Sequence, residues 1–127
     1  MYVRHYKVRQ KKVKHMSTLN ILWATDSADT AMLFINEYAD GAMSYEWWDK
    51  VRIILWGGSV RLVQSNSFIQ VNIMRLVHKG VEVVASKKCA ESVGATQLLE
   101  SLEVEVKYMG KELTDILKDT EQKLITV

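Results

Sequence analysis

Short apolar runs and helical stripes alternate along this chain, and that alternation restricts its fold more than any single motif does. The run Leu19–Thr25, ended by Asp26 and Ser27, suits a buried strand followed by a helix cap. Ala31, Phe34, Ile35, Tyr38, Ala39 and Ala42 then fall at i, i+3, i+4, i+7, i+8 and i+11, which is one face of an amphipathic helix. Val51–Trp56 reads as a second strand, closed by Gly57, Gly58 and Ser59. Ile69, Ile73, Leu76 and Val77 form the next helical stripe, with His78 and Lys79 in its last turn and Gly80 as its stop.

The same rhythm continues to the end. Val81–Ala85 is a third strand, and Ser86–Cys89 leads into a short helix that Gly94 ends. Thr96 caps a further turn carrying Leu98, Leu99 and Leu102. Val104–Met109 reads as a fourth strand, Leu113, Ile116 and Leu117 mark a helix after Gly110, and Lys123–Val127 is a fifth strand. The order βαβαβαβαβ predicts an α/β fold, a three-layer α/β/α sandwich around a largely parallel five-stranded sheet with right-handed crossovers. A chain of 127 residues fits one such domain and buries about two-thirds of its unfolded surface, so its core needs no disulfide or metal.

Charge divides the chain in two. Residues 1–16 hold Arg4, Lys7, Arg9, Lys11, Lys12 and Lys14 and no acid, whereas the rest sets eleven cations against fifteen acids, a net −4. The expected organisation is therefore a basic N-terminal extension over residues 1–16 and a single domain over 17–127. A nucleic-acid partner would depend wholly on the extension, because the body repels phosphate, and the reading is against one. No apolar run approaches the ~20 residues of a membrane span, so no membrane is expected.

The alternation also locates a site. In open parallel sheets, ligands bind beyond the carboxyl ends of the strands. Thr25–Ser27, Gly57–Ser59, Ser86–Cys89 and Met109–Gly110 all belong at that edge. Cys89 is the one cysteine, which excludes an internal disulfide and any multi-thiolate metal centre. Placed near a helix start beside Lys87 and Lys88, it is either an inert small hydrophobe or a thiolate nucleophile. Gly57, Gly58 and Ser59 form a tight turn or an anion cradle, and they lack the patterns GxxxxGK[ST] and GxGxxG. Asp26 is a helix cap or a proton-handling partner of the thiol. His5, His15 and His78 have no metal-ligand spacing, and neither metal nor cofactor is expected. Trp47 and Trp48, near Met43 and Tyr45, belong either to the core or to a subunit contact.

Several stretches together resemble the DsrE/DsrF-like sulfur-relay family. They are Trp47-Trp48-Asp49 with Ile53–Ser59, Gly80–Ala90, Val104–Gly110, Leu113-Thr114 and Leu124–Val127, and the resemblance runs from about Leu19 to the end. It implies a parallel α/β/α sandwich that assembles into homo- or hetero-oligomers, often trimers or hexamers, and a homo-oligomer is the expectation here. In the sulfur-relay members, a cysteine after the third strand accepts persulfide sulfur and passes it to a partner protein, a role that falls here on Cys89. Ser86, Lys87 and Lys88 would shape its field, and Asp26, Gly57, Gly58 and Ser59 would line the pocket. Two positions depart from the pattern: Ser86 stands where relatives often carry a second cysteine, and Gly58 where they often carry proline. The expectation is a cytoplasmic sulfur carrier with donor and acceptor partners. The alternatives are a non-catalytic oligomeric scaffold with an incidental cysteine, and a small-anion or nucleotide binder using the same edge.

Overall fold

The computed structural model describes residues 16–127, so the basic extension expected over residues 1–16 lies, apart from Met16, outside the described residues. Five strands, β1 (Thr18–Trp23), β2 (Lys50–Leu55), β3 (Glu82–Ser86), β4 (Glu105–Lys107) and β5 (Gln122–Thr126), form one sheet in the order β4-β3-β2-β1-β5. Every pairing is parallel, with Leu22 beside Ile54, Ile54 beside Val84, and Ile21 beside both Ile53 and Ile125. The connections are helix α1 (residues 28–44), α2 (Gly58–Ser65) and α3 (Ser67–Lys79), α4 (Lys87–Ser92) and α5 (Thr96–Ser101), and α6 (Gly110–Lys118).

The first three crossovers step in one direction across the sheet, so right-handedness sends α1 through α5 to the same face. The return from β4 to β5 runs the other way and places α6 on the opposite face. Two cores result. The larger joins Ile21, Trp23, Ile53 and Val83 to Ile35, Val60, Ile69, Ile73 and Leu99. The smaller holds Ile54, Val84, Met109 and Ile116, with Leu22, Trp56 and Leu124 packed against it.

One nine-residue helix cannot cover five strands, and the part of the second face that it leaves uncovered is polar. Asn20, fully buried in the middle of β1, donates from Nδ2 to Gln122 Oε1 at 2.9 Å and accepts from Arg52 Nη1 at 3.3 Å. Glu82 Oε1 lies 3.0 Å from Lys50 Nζ and 3.3 Å from Arg52 Nε, the latter off the line of a hydrogen bond. Glu112 on α6 completes the network, 3.7 Å from Arg52 Nη1 and 2.9 Å from Lys107 Nζ, and so ties the helix to the sheet. Burial pushes the Glu82 carboxyl up, but Lys50 and Arg52 outweigh it and hold it below its ordinary value. Glu112 raises Lys107 above its ordinary value, against the effect of burial.

Several expected boundaries move. α1 is an α-helix over Ala28–Thr30, a π-helix over Ala31–Asn36 and an α-helix again over Glu37–Ser44. The wider turn rotates the stripe, so Ala31, Ile35, Ala39 and Ala42 are buried while Phe34, expected among them, is exposed. The glycine pair closing β2 is not simply a turn, because Gly58 already begins α2. Ser27, not Asp26, caps α1, accepting the Thr30 N–H at 3.2 Å. Ala95, not Thr96, precedes α5 and gives it no side-chain cap. β4 is only three residues long, which releases Tyr108 and Met109 from the sheet.

α1 and α3 are bound together by Asp40, which pairs with Arg75 Nη1 at 2.8 Å and with the Lys79 ammonium. Lys79 and Arg75 hold the Asp40 carboxyl down at about 2, from an ordinary 3.8. A depressed carboxylate stabilises the fold above its unfolded value and loses that contribution as pH falls through its folded value. The stability gap between wild type and Asp40→Asn, read from urea midpoints, should therefore close between about pH 4 and pH 2. A gap that stays constant across that range contradicts the assignment.

Candidate functional site

Because all five strands run the same way, the segments after them share one edge, and the topology subdivides that edge. The strand order reverses between β1 and β5, where a parallel sheet ordinarily opens a crevice. Here the crevice is closed by backbone. The Val127 carbonyl accepts the Ala24 and Thr25 N–H groups at 2.8 and 3.1 Å, and the Val127 N–H donates to Leu22 O at 2.8 Å. The indole N–H of buried Trp23 fixes the same loop by donating to Thr25 O at 3.0 Å. The open part of the edge lies next door, between the ends of β2 and β3.

Cys89 stands there. Ser86, the last residue of β3, caps α4 by accepting the Cys89 N–H at 3.4 Å, which fixes the cysteine in the first turn. The thiol is partly buried against the larger core. Its Sγ accepts the backbone N–H of Gly57 at 3.3 Å. That donor is aimed by an unusual backbone, for Gly57 has φ 62 and ψ −126, a conformation costly to any residue with a Cβ. Ser59 secures the turn from beneath. Fully buried, it accepts the Trp56 N–H at 2.9 Å and donates to Trp56 O at 3.1 Å.

The expected site residues separate into those that meet and those that do not. Cys89, Ser86 and Gly57 are brought together around the sulfur. Ser59 was expected to line the pocket, but its hydroxyl is spent inside the turn. Gly58 faces β1: a Cβ there would lie 3.1 Å from Ala24 O and 3.3 Å from the Asp26 Cβ, so the two loops touch through backbone. Asp26 is exposed beside it. The Lys87 ammonium sits 5.1 Å from the centroid of the Tyr108 ring, a cation–π distance, which turns it toward β4. Lys88 reaches a pocket of about 220 Å³ walled by Trp56, Ser86, Tyr108, Met109 and Gly110. Trp56 and Met109 belong to the smaller core, so this pocket opens on the α6 side of the edge and Cys89 on the other, with Ser86 between them.

Trp56 and Tyr108 were not expected at the site, whereas Met109 was already placed at this edge with Gly110. Each was assigned to a strand, and the available signal was position: a large side chain at the carboxyl end of a strand borders the ligand edge. Among the described residues, no three His, Cys, Asp or Glu side chains are grouped to hold a metal ion, and no helix is long and apolar enough to cross a membrane.

The solved structure of the conserved protein of unknown function BT1422 from Bacteroides thetaiotaomicron matches this chain with a TM-score of 0.84. The two are 34% identical in sequence, over 87% of this chain and 94% of that one. This chain belongs to the family of that protein. No protein-family model matches the chain, and no curated protein does. The likeness to BT1422 extends over nearly the whole of that protein, so the parallel sandwich is common property of the family.

Gly57 supplies a direct test of this geometry. Nothing lies within 4 Å of a Cβ built there, so Gly57→Ala meets no clash and its cost is conformational. The substitution should lower unfolding free energy by about 1–3 kcal/mol in chemical denaturation. A variant as stable as wild type would show that the turn does not need a glycine.

Proposed function

We propose that this protein is a DsrE-like sulfur carrier that holds sulfane sulfur as a persulfide on Cys89. The observation that carries the reading is the Gly57 N–H aimed at Sγ at 3.3 Å, on a half-buried cysteine at the ligand edge of a parallel sheet. The N–H is placed to donate to sulfur while charge builds on it during attack and departure. It costs nothing to reorganise, because the turn is fixed by Gly57 and Ser59.

The chemistry is an exchange without net oxidation. The Cys89 thiolate attacks the terminal sulfur of a donor persulfide. A Cys89 S–S bond forms, the donor's S–S bond breaks, and the donor leaves as its thiolate. An acceptor thiolate then attacks the terminal sulfur on Cys89, and Cys89 departs as thiolate, ready for another cycle. Ser86, in the place of a second cysteine, removes the internal route by which a neighbouring thiol would collapse the persulfide to a disulfide. The sulfur must therefore leave to another molecule. In this reading the protein works in the cytoplasm with a sulfur donor and an acceptor, and it assembles with further copies of itself as a trimer or hexamer.

Incubation with a low-molecular-weight persulfide, followed by intact mass measurement, tests the proposal. Wild type should gain the mass of one sulfur atom, lose it to dithiothreitol, and transfer it to an added acceptor thiol. Cys89→Ser should gain none. An unmodified wild type, or an equal adduct on Cys89→Ser, refutes sulfur carriage and leaves an oligomeric scaffold with an incidental cysteine.

A further inference from the structure

The pocket beside Lys88 is walled in a way that selects its occupant. It lies where β2, β3 and β4 end, and none of the residues lining it is acidic. Its walls are the rings of Trp56 and Tyr108 and the buried side chain of Met109. Lys87 lies over the Tyr108 ring, 5.1 Å from its centroid, a contact that holds this wall although the residue is 65% exposed. The volume of about 220 Å³ exceeds the ~150 Å³ in which a protein cavity accepts benzene. A six-membered ring with one small substituent fits there, and a whole nucleotide does not.

Groups that attract negative charge meet at the same place. The Lys88 ammonium has no acidic partner among the described residues. Ser86, only 4% exposed, faces the pocket's side of the sheet, because side chains alternate along β3 and Val84 belongs to the smaller core. Its Oγ accepts the Cys89 N–H, while its own O–H has no acceptor among the described residues. The start of α6 adds a third donor. Leu113 makes the first backbone hydrogen bond of that helix, to Met109 O at 2.8 Å, and no side chain caps it. The Gly110 N–H is thus left without an acceptor among the described residues. Gly110 lines the pocket, and nothing lies within 4 Å of a Cβ built on it.

We propose that this pocket binds a small aromatic carboxylate, with its ring against Trp56, Tyr108 and Met109 and its carboxylate at Lys88, Ser86 and the start of α6. The inference goes beyond sulfur carriage and does not rest on it. A bare inorganic anion would lose hydration against three apolar walls with few donors to replace it. A flat ring buries its faces on those walls and brings the charge to the donors at their border. A cation would meet Lys88 with no acid to offset it.

Titration of the isotope-labelled full chain with benzoate, followed by heteronuclear NMR, tests the site. The Trp56 indole N–H resonance, assigned by its loss in Trp56→Phe, and the Gly110 amide should shift and saturate with a dissociation constant of about 1 mM or below. Benzyl alcohol keeps the ring without the charge, and acetate keeps the charge without the ring. Each should bind roughly tenfold or more weakly than benzoate. Lys88→Ala should weaken benzoate binding roughly tenfold, and Tyr108→Ala should weaken it severalfold. Both side chains are exposed, so both variants should stay folded. Lys118→Ala, at the far end of α6, should bind as wild type does. The assignment is overturned by shifts that do not saturate up to about 10 mM benzoate, or by equal binding of either control compound. An affinity unchanged in Lys88→Ala or Tyr108→Ala, or an equal loss in Lys118→Ala, also overturns it. None of these results bears on whether Cys89 takes up sulfur, and a failed persulfide test leaves the pocket's occupant unaffected.

Discussion

The hand of the crossover connection governs this molecule. Three successive steps in one direction commit α1 to α5 to one face, and the single step back leaves α6 alone on the other. From that imbalance come a large apolar core and a small one, with polar strand residues wherever the second face has no helix to cover it. Glu112 shows how the thin layer is held, since one carboxylate on α6 engages both Arg52 and Lys107. Among the described residues, the same rule leaves β5 without a helix of its own on the larger face.

At the ligand edge, the arrangement around Cys89 depends on backbone more than on charge. Two lysines adjoin the cysteine in sequence, yet one lies over Tyr108 and the other reaches the neighbouring pocket. The sulfur's partner is instead a peptide N–H, held in place by a left-handed glycine and a buried serine that never touches the thiol. A donor of this kind does not titrate and does not swing away. The site is accordingly preorganised by the fold and small in its side-chain inventory.

Much of this was legible in the sequence, and the omissions have physical causes. Strand cores such as Ile53–Leu55 and Val83–Ala85 are continuous apolar runs because both their faces are covered, and such runs are easily read. Cys89 follows a strand and precedes a helix, which fixed its place at the edge. The π-helix left no local mark, since Ala31–Asn36 has an ordinary helical composition. Gly57-Gly58 reads as a turn although the second glycine opens a helix, because the sequence cannot say which glycine needs the positive φ. Trp47 and Trp48 are identical in type and adjacent, so only the three-dimensional path of the loop could send one outward and the other to Tyr38. The polar network failed to register because its members are distributed: Asn20, Arg52, Glu82 and Glu112 come from four elements and look unremarkable in each.

The pairing of β1 also constrains when the molecule can exist. β1 is an interior strand, and Thr18 on it pairs with Lys50 on one side and with Gln122 on the other. During synthesis, therefore, the strand made early waits with one edge bare until residues 122–126 have been produced. Contacts that span nearly the whole described chain carry a heavy loop-closure cost and slow the search for the native sheet. Until then, an unpaired and largely apolar edge is available to other chains, so the period of greatest exposure to misassembly precedes completion of the last strand.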